Sequence, residues 1–189
     1  NLIGMESYIG EILLVGVLVV LNGYFAAAEI ALVSARRAVL KAEAEEGSAQ
    51  AKAVLRLTSD PSRFLAATQV GITLVGFGAS ATAAVTLAQP LAKWLQGLGL
   101  NWVSNISGGL SIFLVTVVIS YFTLVFGELA PKRLGLQRAE GVAKAVAGPI
   151  TLLQRITAPL IWLLSHSTNA AARMIGVKPG PVRPGVTEE

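Results

Sequence analysis

The hydrophobic residues of this chain lie in long runs that are interrupted only by scattered polar residues. Three runs, at residues 12–33, 64–87 and 106–126, are long enough to cross a bilayer, which takes about 20 residues. A later run at 156–164 is too short to cross, and Pro159 interrupts it. We therefore predict an all-α integral membrane protein with three transmembrane helices.

The segments between the runs predict helices outside the membrane. Residues 34–58 alternate basic and acidic side chains and predict a cytoplasmic helix. Residues 91–100 predict an interfacial segment on the outer side. Residues 137–156 and 158–176 predict two amphipathic helices that lie on the membrane surface, separated near Pro159.

This pattern divides the chain into three parts. Residues 1–133 form the three-span core together with its cytoplasmic helix, and residues 134–177 form the juxtamembrane helices. Residues 178–189 are rich in Pro, Gly and charge, and predict a linker to a cytoplasmic domain outside this chain.

Composition and charge placement support a membrane location and give an orientation. Only 14% of the residues are charged and 53% are hydrophobic, whereas soluble domains carry about 25% charged residues. All of the 15 basic residues except Lys93 lie at 34–63 or beyond the third run. The positive-inside rule places these segments in the cytoplasm. We expect a multi-pass protein of the plasma (inner) membrane with its N-terminus outside and its C-terminus inside.

Several classes of function are excluded by residue content. The chain has no cysteine and the single histidine His166, which excludes thiolate and His-rich metal sites. It carries no HExxH, GxSxG or P-loop motif, so we predict that it is not an enzyme. The basic residues lie in blocks beside the apolar runs rather than on one face, which favours lipid headgroups over nucleic acid as the partner.

Polar residues inside the runs indicate a path for a cation. Asn22 and Glu29 lie two turns apart on one face of the first helix, and a carboxylate at membrane depth costs about 2.5–3.5 kcal/mol. Pro131 cannot donate to the carbonyl of Gly127 and its ring clashes with it, so the third helix must kink or open beside Glu128. We expect the freed carbonyl and the carboxylate to form a hard-oxygen site.

Two polar stripes add oxygen donors, with Gly76 and Ser80 completing the stripe of the second helix and Thr116 beginning that of the third. Carboxylate, amide, hydroxyl and carbonyl oxygens suit Mg²⁺, Ca²⁺, Mn²⁺ or Na⁺. The predicted metal site consists of Asn22, Glu29, Gln69, Thr73, Ser120, Thr123, Gly127 and Glu128.

Each of these residues also has a purely structural interpretation. Glu29 could pair with Arg36 or reach the headgroups, Glu128 could pair with Lys132 four residues on, and Asn22 could join two helices by a hydrogen bond. A row of small residues that begins at Gly23 lets helices approach closely. The row does not distinguish packing within one chain from packing between two.

Three segments resemble the transmembrane domain of the CorC/CorB/cyclin M (CNNM) family of magnesium transporters. They are N-G-Y-F-A-A-A-E-I-A-L at 22–32, Q-V-G-I-T at 69–73 and G-E-L-A-P-K at 127–132, and their order and spacing match from about residue 5 to residue 180. The resemblance implies that Asn22, Glu29, Gly127, Glu128 and Pro131 line the ion cavity.

The same resemblance implies a homodimer of three-span protomers that transports Mg²⁺, exported by coupling to Na⁺ influx. ATP would bind only to a pair of CBS modules in the cytoplasmic domain outside this chain. The residues by themselves indicate only that the ion is a hard cation, so two alternatives stay open. One is a transporter of another ion such as Co²⁺, Mn²⁺ or Na⁺, and the other is a non-transporting membrane scaffold that regulates a partner.

Overall fold

The computed structural model describes residues 2–97 and 101–176, which form helices joined by short turns and contain no β-strand. The elements are α1 (Leu2–Ser34), α2 (Arg37–Glu45), α3 (Ala49–Leu57), α4 (Pro61–Gln96), α5 (Asn101–Leu124), the π-helical turn (Val125–Leu129), α6 (Ala130–Gln137) and α7 (Ala139–Met174). The third membrane helix is continuous from α5 through the π-helical turn into α6.

Within the described residues, four helical stretches are long and apolar enough to cross a membrane, namely Ile9–Ser34, Pro61–Ala88, Gly109–Gln137 and Ala139–Met174. The first two contain the predicted spans 12–33 and 64–87, and the third overlaps the predicted span 106–126 from Gly109 onward. The all-α membrane class is therefore confirmed. The count of three spans is not confirmed, because α7 also meets the criteria of length and hydropathy. Large apolar side chains such as Val20, Phe77 and Val85 are more than two-thirds exposed, as expected of surfaces that face lipid.

The prediction that residues 137–156 and 158–176 form two helices separated near Pro159 is wrong. α7 is one helix of 36 residues, and it continues through both Pro149 and Pro159. A proline interrupts one backbone hydrogen bond, and in water a helix often breaks there. In apolar surroundings every other backbone group must still be paired inside the helix, so continuing it is favoured over ending it.

Two further boundaries differ from the sequence interpretation. The segment 34–58 is not one helix, because Gly47 adopts a positive φ of 103° after α2 and the Ser48 hydroxyl accepts the Ala51 N–H to begin α3. Helix α4 passes through Pro90 and ends at Gln96, so most of the predicted interfacial segment belongs to it. Residues 98–100 and the predicted linker at 178–189 lie outside the described residues.

The main hydrophobic core lies where the end of α1 and the start of α4 pack against α2, α3 and the first half of α7. Leu40, Phe64 and Ile150 are its largest fully buried apolar side chains. The ion pair Arg36–Glu140 (2.6 Å) connects the residue before α2 to α7, and the hydrogen bond to Glu140 raises the pKa of Arg36. These contacts hold the α7 N-terminus beside the ends of the spanning helices.

The small residues of α1 pack within the chain. A Cβ built on Gly23 would lie 2.8 Å from Pro131 Cγ, and one on Gly135 would lie 2.7 Å from the carbonyl oxygen of Ala27. Backbones therefore approach closely between α1 and the segment that leads into α6. The sequence did not distinguish packing within one chain from packing between two chains, and the structure shows contacts within the chain at Gly23 and Ala27.

Candidate cation site at the π-helical turn

The third membrane helix opens beside Glu128, as the sequence predicts. Residues Val125–Leu129 form a π-helical turn, and α6 begins directly after it with Pro131 in its first turn. The wider turn accommodates a proline whose ring would clash with the Gly127 carbonyl in a regular α-helix. π-Helical turns inside α-helices are frequent at functional sites.

The Gly127 carbonyl accepts a hydrogen bond from the side chain of Asn22. The distance from Asn22 Nδ2 to Gly127 O is 2.9 Å, and Asn22 is only 3% exposed. Gly127 permits this approach, since a Cβ there would lie 3.2 Å from the carbonyl oxygen of Val19 and 3.3 Å from Asn22 Nδ2. The structural interpretation of Asn22, a hydrogen bond between helices, is thus observed.

Two buried oxygens beside this hydrogen bond have no partner within the described residues. They are Oδ1 of Asn22 and Oγ1 of Thr123. A Cβ built on Gly76 of α4 would lie 3.6 Å from Asn22 Oδ1, so the amide oxygen faces α4 while the amide nitrogen is held by Gly127. A buried acceptor without a donor costs about 1–3 kcal/mol, and a cation would satisfy it.

These oxygens lie at a cleft of about 290 Å³ between α1, α4 and the α5–π segment. The cleft brings together five of the eight predicted site residues, and it adds Gly76 and Ser80 from the predicted stripe of the second helix. It also includes three apolar side chains. The residues that line it are Asn22, Ile72, Thr73, Gly76, Phe77, Ser80, Ser120, Thr123, Leu124 and Glu128.

Three predicted residues do not line this cleft. Gln69 is exposed, and its Nε2 donates to Thr73 Oγ1 at 3.3 Å. Gly127 is buried behind the Asn22 amide. Glu29 lies outside the cleft, with Oε2 3.6 Å from Lys132 Nζ.

Lys132 is the site residue that sequence reasoning did not include. Its ammonium lies 2.9 Å from Glu128 Oε1 as well as 3.6 Å from Glu29 Oε2. The expected pairing of Glu128 with Lys132 is therefore present. The alternative pairing of Glu29 with Arg36 is not, because Arg36 pairs with Glu140. The four-residue spacing of Glu128 and Lys132 predicts their contact, but nothing in the sequence indicates the contact of Lys132 with Glu29.

The donor set suits a hard, partly hydrated cation. The cleft offers one carboxylate (Glu128), one amide oxygen (Asn22) and the hydroxyls of Thr73, Ser80, Ser120 and Thr123. The described residues contain no group of three His, Cys, Asp or Glu side chains that could hold a metal. Mg²⁺ usually keeps several of its water ligands and is bound through only one or two carboxylates, rather than being enclosed by protein ligands alone. The donor set of the cleft fits this kind of binding.

The architecture defines the class of protein, a multi-pass helical membrane domain with a polar cleft between its spanning helices. The chain belongs to the cyclin M (CNNM) family, because the family model described as "Cyclin M transmembrane N-terminal domain" matches residues 12–189. The match covers both motifs of the cleft, around Asn22 and around Glu128.

Three bacterial proteins are similar to this chain over most of its length. UPF0053 protein sll0260 of Synechocystis is 42% identical over 95% of this chain and 39% of its own length. UPF0053 protein YhdT of Bacillus subtilis is 32% identical over 96% of this chain and 39% of its own length. UPF0053 inner membrane protein YfjD of Escherichia coli is 28% identical over 84% of this chain and 33% of its own length. The chain thus spans about two-fifths or less of the length of these relatives.

Proposed function

We propose that this domain transports Mg²⁺ across the membrane and exports it in exchange for Na⁺. The main support is the cleft at the π-helical turn, which Glu128, Asn22 and Thr123 line together and where the last two each have a buried oxygen without a partner. Hard oxygen donors of this kind bind Mg²⁺ and Na⁺ rather than thiophilic metals. The choice of Mg²⁺ and the coupling to Na⁺ follow the family resemblance rather than the donor set.

In this mechanism the cleft holds a partly hydrated ion between helices that can move against one another. Glu128 supplies the charge, while Asn22 Oδ1 and the hydroxyls replace some of the water ligands. The π-helical turn carries Glu128. A movement of this turn relative to α1 and α4 would move the carboxylate, and so change the access to the ion.

The arrangement in the membrane is part of the proposal. The basic residues at 34–63 and after the third span favour a cytoplasmic location for these segments, with the N-terminus outside, in the plasma (inner) membrane.

We also propose a homodimer, since Ser120 at the edge of the cleft is exposed in a single chain and a second copy could shield it. Size measurement in detergent with the detergent mass subtracted tests the dimer.

The experiment for transport uses purified protein in liposomes that contain a Mg²⁺-sensitive dye. We expect Mg²⁺ flux that accelerates when an opposing Na⁺ gradient is imposed and that protein-free liposomes lack. Flux of Mn²⁺ or Co²⁺ without Mg²⁺ flux would identify another hard cation as the substrate. No flux of any cation under any gradient would contradict transport and favour a membrane scaffold.

A further inference from the structure

The ammonium of Lys132 lies between two carboxylates that come from different helices. Glu128 belongs to the π-helical turn and Glu29 to α1, and Lys132 Nζ lies 2.9 Å and 3.6 Å from them. The three side chains are between 19% and 36% exposed. The charges at this point are therefore partly shielded from water, and each affects the others more strongly than on an open surface.

The packing beneath these groups fixes their spacing. Gly135 lies one turn after Lys132, and a Cβ there would meet Ile30 Cγ2 at 2.5 Å, so α6 packs directly on the α1 turn that carries Glu29. Pro131, next to Lys132, packs on Gly23. The lysine stem therefore begins at a position set by close backbone contacts, and its ammonium has both carboxylates within reach.

We propose that Lys132 is a tethered competitor of the transported ion and determines the preference for a divalent over a monovalent cation, an inference that rests on the proposed transport function. Without a bound ion, the ammonium partly neutralises Glu128 and Glu29. A cation that uses the Glu128 carboxylate must displace the ammonium from it. A divalent ion gains twice the Coulomb attraction of the group it displaces, whereas a monovalent ion gains nothing in charge.

This arrangement predicts opposite effects on affinity and selectivity. Removing the ammonium leaves both carboxylates free, so Mg²⁺ binds more tightly and Na⁺ becomes an effective competitor. Keeping a positive charge at the same position preserves the competition. A lysine with only a structural role would change the stability of the protein without changing which ions compete.

The experiment measures thermal stabilisation of the purified protein by MgCl₂ at constant ionic strength, with choline or Na⁺ as the balancing cation. For Lys132→Met we expect the half-saturating Mg²⁺ concentration to fall about tenfold or more in choline, with a marked increase when Na⁺ replaces choline. Lys132→Arg should remain close to the wild type in both salts. If Mg²⁺ stabilises the wild type but the half-saturating concentration is unchanged or higher in Lys132→Met, the proposed role of Lys132 is overturned. Mg²⁺ binding at the cleft would not be contradicted by that result.

Stabilisation of Lys132→Met without stabilisation of the wild type would support the competitor strongly, since the lysine would then mask the site. No stabilisation of any variant would overturn this inference together with Mg²⁺ binding at the cleft.

A second measurement needs no substitution, in case Lys132→Met does not fold. An amine-reactive reagent should modify Lys132 of the wild-type protein faster in Mg²⁺ than in choline, because the displaced ammonium loses its carboxylate partners. Lys41, which is exposed on α2, provides the internal control and should react at the same rate in both salts. Equal or slower modification of Lys132 in Mg²⁺ would contradict the displacement.

Discussion

Asn22 and Gly127 are 105 residues apart in the chain, and the side-chain amide of one donates to the backbone carbonyl of the other at 2.9 Å. This hydrogen bond joins α1 to the π-helical turn. It also orients the amide so that its oxygen faces α4 and the cleft. One residue therefore stabilises the opened helix and, in the proposed function, offers an oxygen to the cation.

The first prediction concerns the stability that this hydrogen bond provides. In Asn22→Ala the Gly127 carbonyl loses its donor in a buried position, which should lower the free energy of unfolding by about 1–3 kcal/mol. Thermal unfolding of the purified protein in detergent measures the effect. Asn169→Ala on the exposed part of α7 is the matched control and should change it by less than about 0.5 kcal/mol. Equal effects of the two substitutions would argue against a stabilising role for the hydrogen bond.

The second prediction concerns the contact between α1 and α6. Gly135→Ala places a Cβ 2.5 Å from Ile30 Cγ2 and 2.7 Å from a backbone oxygen, and such overpacking should destabilise by about 1–3 kcal/mol. Gly148→Ala meets no atom within 4 Å and should instead stabilise α7 by up to about 1 kcal/mol. Unfolding midpoints of both variants, recorded under the same conditions, test the opposite signs. A stable Gly135→Ala protein would mean that the two helices are less tightly packed than described.

The third prediction tests whether the ion passes through the cleft. A Cβ on Gly76 lies 3.6 Å from Asn22 Oδ1, an ordinary contact, so Gly76→Leu should fold with its side chain in the cleft. We expect its Mg²⁺ flux in liposomes to fall to the level of protein-free vesicles. Gly78 is on the same helix and does not line the cleft, and a Cβ there would meet no atom within 4 Å, so Gly78→Leu should transport normally. Normal flux through Gly76→Leu would exclude this cleft as the path.

The sequence predicted the parts of the molecule that depend on local chemistry. Three membrane runs followed from hydropathy, and the opening near Glu128 followed from Pro131, which cannot complete a regular turn there. The pairing of Lys132 with Glu29 and the orientation of Asn22 were missed, because both depend on how α1 packs against a segment about 100 residues later.

The errors at α7 and at Gly47 have different causes. Prolines usually end helices in water, and the sequence interpretation applied that rule at Pro159, where the apolar residues favour continuation. At Gly47-Ser48 the signal was present, a glycine that ends one helix and a serine that caps the next, but the alternating charges on both sides concealed it.

The central claim is that the Glu128 carboxylate binds the transported cation, and Glu128→Gln tests it most directly. The substitution keeps the shape of the side chain and removes its charge. We expect Mg²⁺ flux in liposomes to fall to the protein-free level, while Glu46→Gln, at the exposed residue directly after α2, transports as the wild type does. Wild-type flux in a folded Glu128→Gln protein would contradict the claim.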